Sequence, residues 1–129
     1  MNPLYLSYVA FGGAVGSMAR YALSETLSRL SSSGFPLGTF SVNVLGSFLL
    51  GVWLAVAAGM EPGKARDLHQ LFAIGALGGF TTFSTFTFDA YMLMERGLHT
   101  QAFLYVFGSI MLSVLALLAG MWVLKVTLG

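Results

Sequence analysis

The 129-residue chain has no cysteine, which excludes a disulfide framework, a thiolate metal site and a cysteine nucleophile. Charge is scarce as well. Lys, Arg, Asp and Glu make up 9% of the residues, against about 25% in soluble domains. So few charges cannot solvate the surface of a globule. They nearly cancel, at a net +1, so no basic patch exists to hold nucleic acid. Of the two histidines, His69 and His99, neither belongs to a metal motif. What the chain does have is apolar surface: 57% of its residues are hydrophobic and the mean hydropathy is +0.82. It reads as an all-α integral membrane protein.

The charges fall in clusters that leave 1–19, 30–60, 68–88 and 97–124 free of Asp, Glu, Lys and Arg. A crossing helix needs about 20 predominantly apolar residues. Four transmembrane helices are therefore expected, near 4–25, 37–59, 69–94 and 100–126, in a single domain over 1–129 with no extramembrane part. Turn signals at Ser31-Ser32-Ser33-Gly34, Glu61-Pro62-Gly63 and Arg96-Gly97 fit the short loops. No Lys or Arg precedes Arg20 and no cleavage pattern follows, so the first run is expected to be a retained helix rather than a signal peptide. Four crossings put Lys64, Arg66 and Lys125 on one side and Arg20, Arg29 and Arg96 on the other. Orientation is set by an imbalance of positive charge, and here there is none. The expectation is insertion both ways, giving an antiparallel, dual-topology homodimer.

Polar groups inside the runs recur at steps of four. Thr39, Asn43, Ser47 and Gly51 share a face of the second helix, Tyr105, Ser109 and Ser113 one of the fourth, and Gly12, Gly16 and Arg20 one of the first. Small and hydroxyl residues at this spacing let helices pack closely, which is the ordinary reading for any single Ser or Gly. Asn43 differs, since a mid-helix amide needs a partner helix or a wet cavity. The third run is irregular. Gly78-Gly79 is followed by Phe80-Thr81-Thr82-Phe83-Ser84-Thr85-Phe86, a stretch of poor helix propensity. An unbroken packed helix is one reading. A helix broken near the bilayer midplane is the favoured one, and such breaks expose backbone groups to ions. Phe80, Phe83 and Phe86 could face lipid or core; alternatively, their positive ring edges suit a passing anion.

No titratable group falls at a likely midplane, which argues against a proton-coupled pump. No nucleophile–base pair or metal motif is visible, so no enzyme is expected. A cation channel would more typically carry an acidic ring. Hydroxyls, one amide, ring edges and backbone remain, and these suit a small anion whose hydration must be replaced by donors.

These residues carry a resemblance. Gly75-Ala76-Leu77-Gly78-Gly79-Phe80-Thr81-Thr82-Phe83-Ser84-Thr85-Phe86 resembles the signature of the Fluc (CrcB-type) fluoride channels. Gly38 through Gly46 resembles their second-helix motif, and Gly12-Gly13 through Arg20-Tyr21 their start. The resemblance spans essentially the whole chain. It implies a passive, selective fluoride channel that lets a cell shed fluoride, with two pores in an antiparallel homodimer in a bacterial inner membrane and no other protein partner. It also implies a structural Na⁺ at the dimer centre on the backbone carbonyls of Gly78 and Thr81. Phe83 and Phe86 match the fluoride-contacting rings and Asn43 the pore amide. Ser84, Thr85, Tyr105, Ser109 and Ser113 match a polar track, and Arg20 an aqueous vestibule. The alternative is a small dual-topology, proton-coupled multidrug-type exporter, which needs a Glu that residues 4–19 lack. A packing subunit of a larger complex would leave the Thr/Ser/Phe string without purpose.

Overall fold

Helix α1 starts where Asn2 caps it, its side chain accepting from the Leu4 amide at 3.0 Å. Pro3 follows at the first helical position, where it has no N–H to lose. A computed structural model describes residues 2–128, and side chains over 2–126, so residues 1 and 129 of the expected domain lie outside it. The described residues contain helices and no strand. In chain order these are α1 (Pro3–Leu30), α2 (Leu37–Ala57), α3 (Pro62–His69), a π-helical segment (Gln70–Leu77), α4 (Gly78–Phe80), α5 (Phe83–Glu95) and α6 (His99–Leu128).

Two boundaries depart from the sequence expectation. Helix α1 continues past residue 25, its last turns held by the Glu25–Arg29 pair at 3.1 Å and by Thr26 donating back to the Ala22 carbonyl. The third helical run begins at Pro62, well before residue 69. There Glu61 acts as N-cap, accepting from the Gly63 and Lys64 amides at 2.9 Å. Those two amides hold its carboxyl below the usual carboxylate range. His69, expected as the first residue of the third helix, lies further inside the helical run and accepts a hydrogen bond from Trp53 Nε1 at 3.1 Å.

Among the described residues three stretches are long and apolar enough to cross a membrane: Leu37–Ala57, Pro62–Glu95 and His99–Val126. Helix α1 has the length, at 28 residues, but carries Arg20, Glu25 and Arg29. It is joined to the others by glycine. Gly12 and Gly16 are buried against the π-helical segment, where an added Cβ would strike the carbonyls of Leu71 and Ala76. Gly51 meets the Leu117 carbonyl in the same way, and Gly120 that of Phe48, which draws α2 and α6 together. Backbones this close gain dispersion contact that larger residues would forbid.

A small core forms where α5 packs on α6, from Phe86, Ala90, Leu93, Ala102 and Tyr105. The rings of Phe35 and Tyr105 meet edge to face, with centroids 5.6 Å apart. Much of the outer surface is apolar: Phe11, Met18 and Trp122 are each more than 60% exposed, at 68%, 64% and 65%. A surface of this kind requires lipid or a second protein surface against it.

Candidate functional site

Helical backbone stops at Phe80 and resumes at Phe83. Between them Thr81 is extended at ψ 160° and Thr82 at φ −151°, ψ 124°. The sequence prepares this link with two glycines and then two β-branched residues, all poor helix formers. Side chains then stabilise it. In a continuous helix the Thr82 amide would donate to the Gly78 carbonyl. Instead it donates to Asn43 Oδ1 at 2.8 Å, while Asn43 Nδ2 donates to the Thr82 carbonyl at 2.9 Å. Asn43 thus pairs with Thr82 as a neighbouring strand would.

The next register repeats the pattern. The Thr85 amide, which a helix would direct to Thr81, donates to Thr82 Oγ1 at 3.2 Å, so Thr82 is the N-cap of α5. On the other side of the link, the Gly79 carbonyl accepts from Arg20 Nε at 3.0 Å and from Ser17 Oγ at 3.4 Å. The Leu77 carbonyl keeps the Thr81 amide and takes its hydroxyl too, both at 3.0 Å. Gly78 and Thr81 are left without the amide partners that a helix would give their carbonyls.

A groove of about 350 Å³ opens beside the link. Asn43, Ser47, Gly78, Thr81, Phe83, Phe86, Ser109 and Ser113 all line it, and none is charged. Phe83 and Phe86 sit with ring centroids 5.4 Å apart, the first 74% exposed and the second 7%. Ser109 is buried, and its hydroxyl has no hydrogen-bond partner among the described residues. A buried polar atom in that state calls for a ligand or water.

The structure does not gather every expected residue into that groove. Arg20 and Thr85 line a separate cavity of about 230 Å³ with Ser17, Ser24 and Thr39. Ser84 is exposed and lies 3.3 Å from the Thr82 hydroxyl. Tyr105 is fully buried behind Phe86, at a centroid distance of 5.3 Å, and donates to Asp89 at 3.2 Å. Asp89 and Arg96 line a third cavity of about 310 Å³ near the α1–α2 turn. Thr82 borders both the groove and the Arg20 cavity, so it forms part of the wall between them. Sequence reasoning missed Thr82 and Ser17. A hydroxyl three residues before Thr85, after a Gly pair, was a signal for an N-cap; Ser17 has no comparable signal.

Among the described residues no group of three His, Cys, Asp or Glu comes together to hold a metal. Carbonyl oxygens are the donors at hand, and hard oxygen donors suit a hard cation. Gly78 and Thr81, both relieved of helical amides and both on the groove, fit such an ion.

The fold and this groove define a multi-pass helical membrane protein with an uncharged groove beside an interrupted helix. Residues 7–121 match the family model described as CrcB-like protein, Camphor Resistance (CrcB). Relatives named fluoride-specific ion channel FluC include one from Phocaeicola vulgatus, 38% identical over 91% of this chain and 95% of its own. Another, from Rhizobium johnstonii, is 44% identical over 91% and 93%, and one from Caulobacter vibrioides is 40% identical over 97% of each. The chain belongs to the CrcB family, a family of ion channels and not of enzymes.

Proposed function

We propose that this chain is a passive, selective fluoride channel working as an antiparallel, dual-topology homodimer with two pores. The observation that carries the reading is the Ser109 hydroxyl, buried without a partner in a neutral groove beside the Phe83 and Phe86 rings. Fluoride is small and strongly hydrated, so its water must be replaced by donors. Ser109, Ser113 and the second N–H of Asn43 are donors, and ring edges carry positive potential. Phe83 and Phe86 supply the rings, backed by Tyr105. Lys and Arg are missing from the groove lining, which keeps affinity low enough for the anion to leave.

The groove opens on the surface of a single chain and Phe83 projects from it, so a second copy would close the pathway. Three positive residues on each side fit insertion in both orientations. At the dimer centre a Na⁺ would lie on the Gly78 and Thr81 carbonyls of both chains, supplying positive charge that ties the two links together. Arg20 and Thr85, in the adjoining cavity, line the aqueous approach, with Ser84 at its rim and Tyr105 continuing the hydroxyl line. Fluoride leaves the cell because a negative interior drives an anion outward. A membrane potential of 100 mV is worth about 2.3 kcal/mol per charge, close to fiftyfold in concentration. The membrane is the bacterial inner membrane.

The test uses liposomes loaded with potassium fluoride and followed with a fluoride electrode after a potassium ionophore is added. Rapid release, with chloride retained in a matched preparation, is the expected result. No release of fluoride from folded protein would overturn the reading.

A further inference from the structure

We propose that Arg20, supported by Ser17, is a positioning residue: by occupying the Gly79 carbonyl it leaves Gly78 and Thr81 as the cation ligands of the link. This rests on the sodium part of the proposed function. The link frees the Gly78, Gly79 and Thr81 carbonyls from helical amides, since Thr82 donates to Asn43, Phe83 is the first residue of α5, and Thr85 donates to Thr82. Gly79 is therefore as open to a cation as Gly78, unless something else takes its carbonyl. Arg20 Nε does so at 3.0 Å, and Ser17 Oγ adds a longer contact at 3.4 Å. Helix α1 reaches that carbonyl because Gly79 has no side chain: a Cβ there would lie 2.6 Å from the Gly13 carbonyl and 3.1 Å from Ser17 Oγ. The Arg20 guanidinium also stands at the C-terminal end of the helical run that closes at Phe80, where a positive charge is favourable.

A purely electrostatic Arg20, attracting anions into its cavity, makes different demands. It needs only a positive charge, whereas the positioning role needs a donor at the Nε position. Stem chemistry separates the two. Glutamine places its amide nitrogen at the chain position of Nε but carries no charge. Lysine keeps the charge but places a methylene there, with its ammonium one atom further out.

The experiment titrates Na⁺, with N-methylglucamine as the replacing cation, against the thermal unfolding of the purified full-length protein. The expected result is that Arg20→Gln stays nearer wild type, while Arg20→Lys needs roughly tenfold more Na⁺ or higher for half-maximal stabilisation. Lysine equal to wild type, or better than glutamine, would overturn the proposal, as would equal loss in both. If neither variant folds, Ser17→Ala replaces them. It should raise the Na⁺ requirement by about threefold with the charge untouched, and no change would refute the role. Wild-type protein indifferent to Na⁺ would instead refute the sodium reading itself, so the two failures are distinct.

Discussion

Replacing Asn43 with alanine removes both hydrogen bonds that hold Thr82, at 2.8 and 2.9 Å, and leaves the Thr82 N–H and C=O without those partners. Each orphaned buried group costs about 1–3 kcal/mol, so the pair bounds the loss at roughly 2–6 kcal/mol. Polar contacts in membranes measure weaker, at about 0.6 kcal/mol on average, because the unfolded chain in lipid finds other partners. Thr82 has little such recourse, since its extended backbone cannot close a helix without abandoning the link. Water in the groove can hydrate it in part, which favours the lower half of the range, about 2–4 kcal/mol. Chemical unfolding of the purified protein in mild detergent measures this directly. Asn43→Asp supplies a second readout. As a carboxylate it accepts from the Thr82 amide but opposes the Thr82 carbonyl with a second acceptor. Once protonated it regains an O–H donor, so this variant should gain stability as pH falls while Asn43→Ala does not. An alanine variant within about 0.5 kcal/mol of wild type, the range of an ordinary surface change, would refute the pairing argument.

The two rings should separate flux from stability. Phe83→Ile should abolish fluoride release with little loss of packing within the chain, where that ring is 74% exposed, whereas Phe86→Ile should also lose about 1–3 kcal/mol from its contact with Tyr105, read by the same unfolding assay. Gly16→Ala should cost at least about 1–3 kcal/mol, because its methyl would strike the Ala76 carbonyl, and unfolding together with a flux assay checks it. Glu61 gives the pH dependence. Its folded carboxyl is held below the ordinary value of 4.5, so its contribution is present above that pH and fades as pH falls through the lower folded value. Glu61→Gln should flatten the acid limb of an unfolding titration, and an unchanged limb would remove the cap from the account.

Much of this was legible in the sequence, and the rest was not, for reasons of reach. Apolar length located three of the crossings, and the Gly12/Gly16 spacing named the face that α1 turns to its neighbour. Both signals are local and periodic. The start of the third helical run was misplaced because a charged, polar stretch reads as loop; Pro62 and the Glu61 cap make it helical, and caps act on hydrogen bonds rather than on hydropathy. The groove was half legible. Asn43, Phe83, Phe86, Ser109 and Ser113 do meet, but Ser84, Thr85 and Tyr105 lie outside the groove lining, and Arg20 lines a separate cavity.

What sequence could not supply is the pairing across helices. Periodicity flags Asn43 as needing a partner, yet nothing local says that the partner is backbone 39 residues away. Nothing local assigns Arg20 to a carbonyl 59 residues on either. These two long-range pairings change what the polar residues are for. In a continuous helix, the Gly78 and Gly79 carbonyls would be spent on the chain's own amides. Asn43 diverts the amide due to Gly78 and Thr82 the one due to Thr81, while Arg20 with Ser17 holds the Gly79 carbonyl. The link's chemistry is thus set by side chains from α1 and α2 as much as by the glycines and threonines within it. A change at Arg20 or Ser17 should therefore alter ion handling without touching the groove lining.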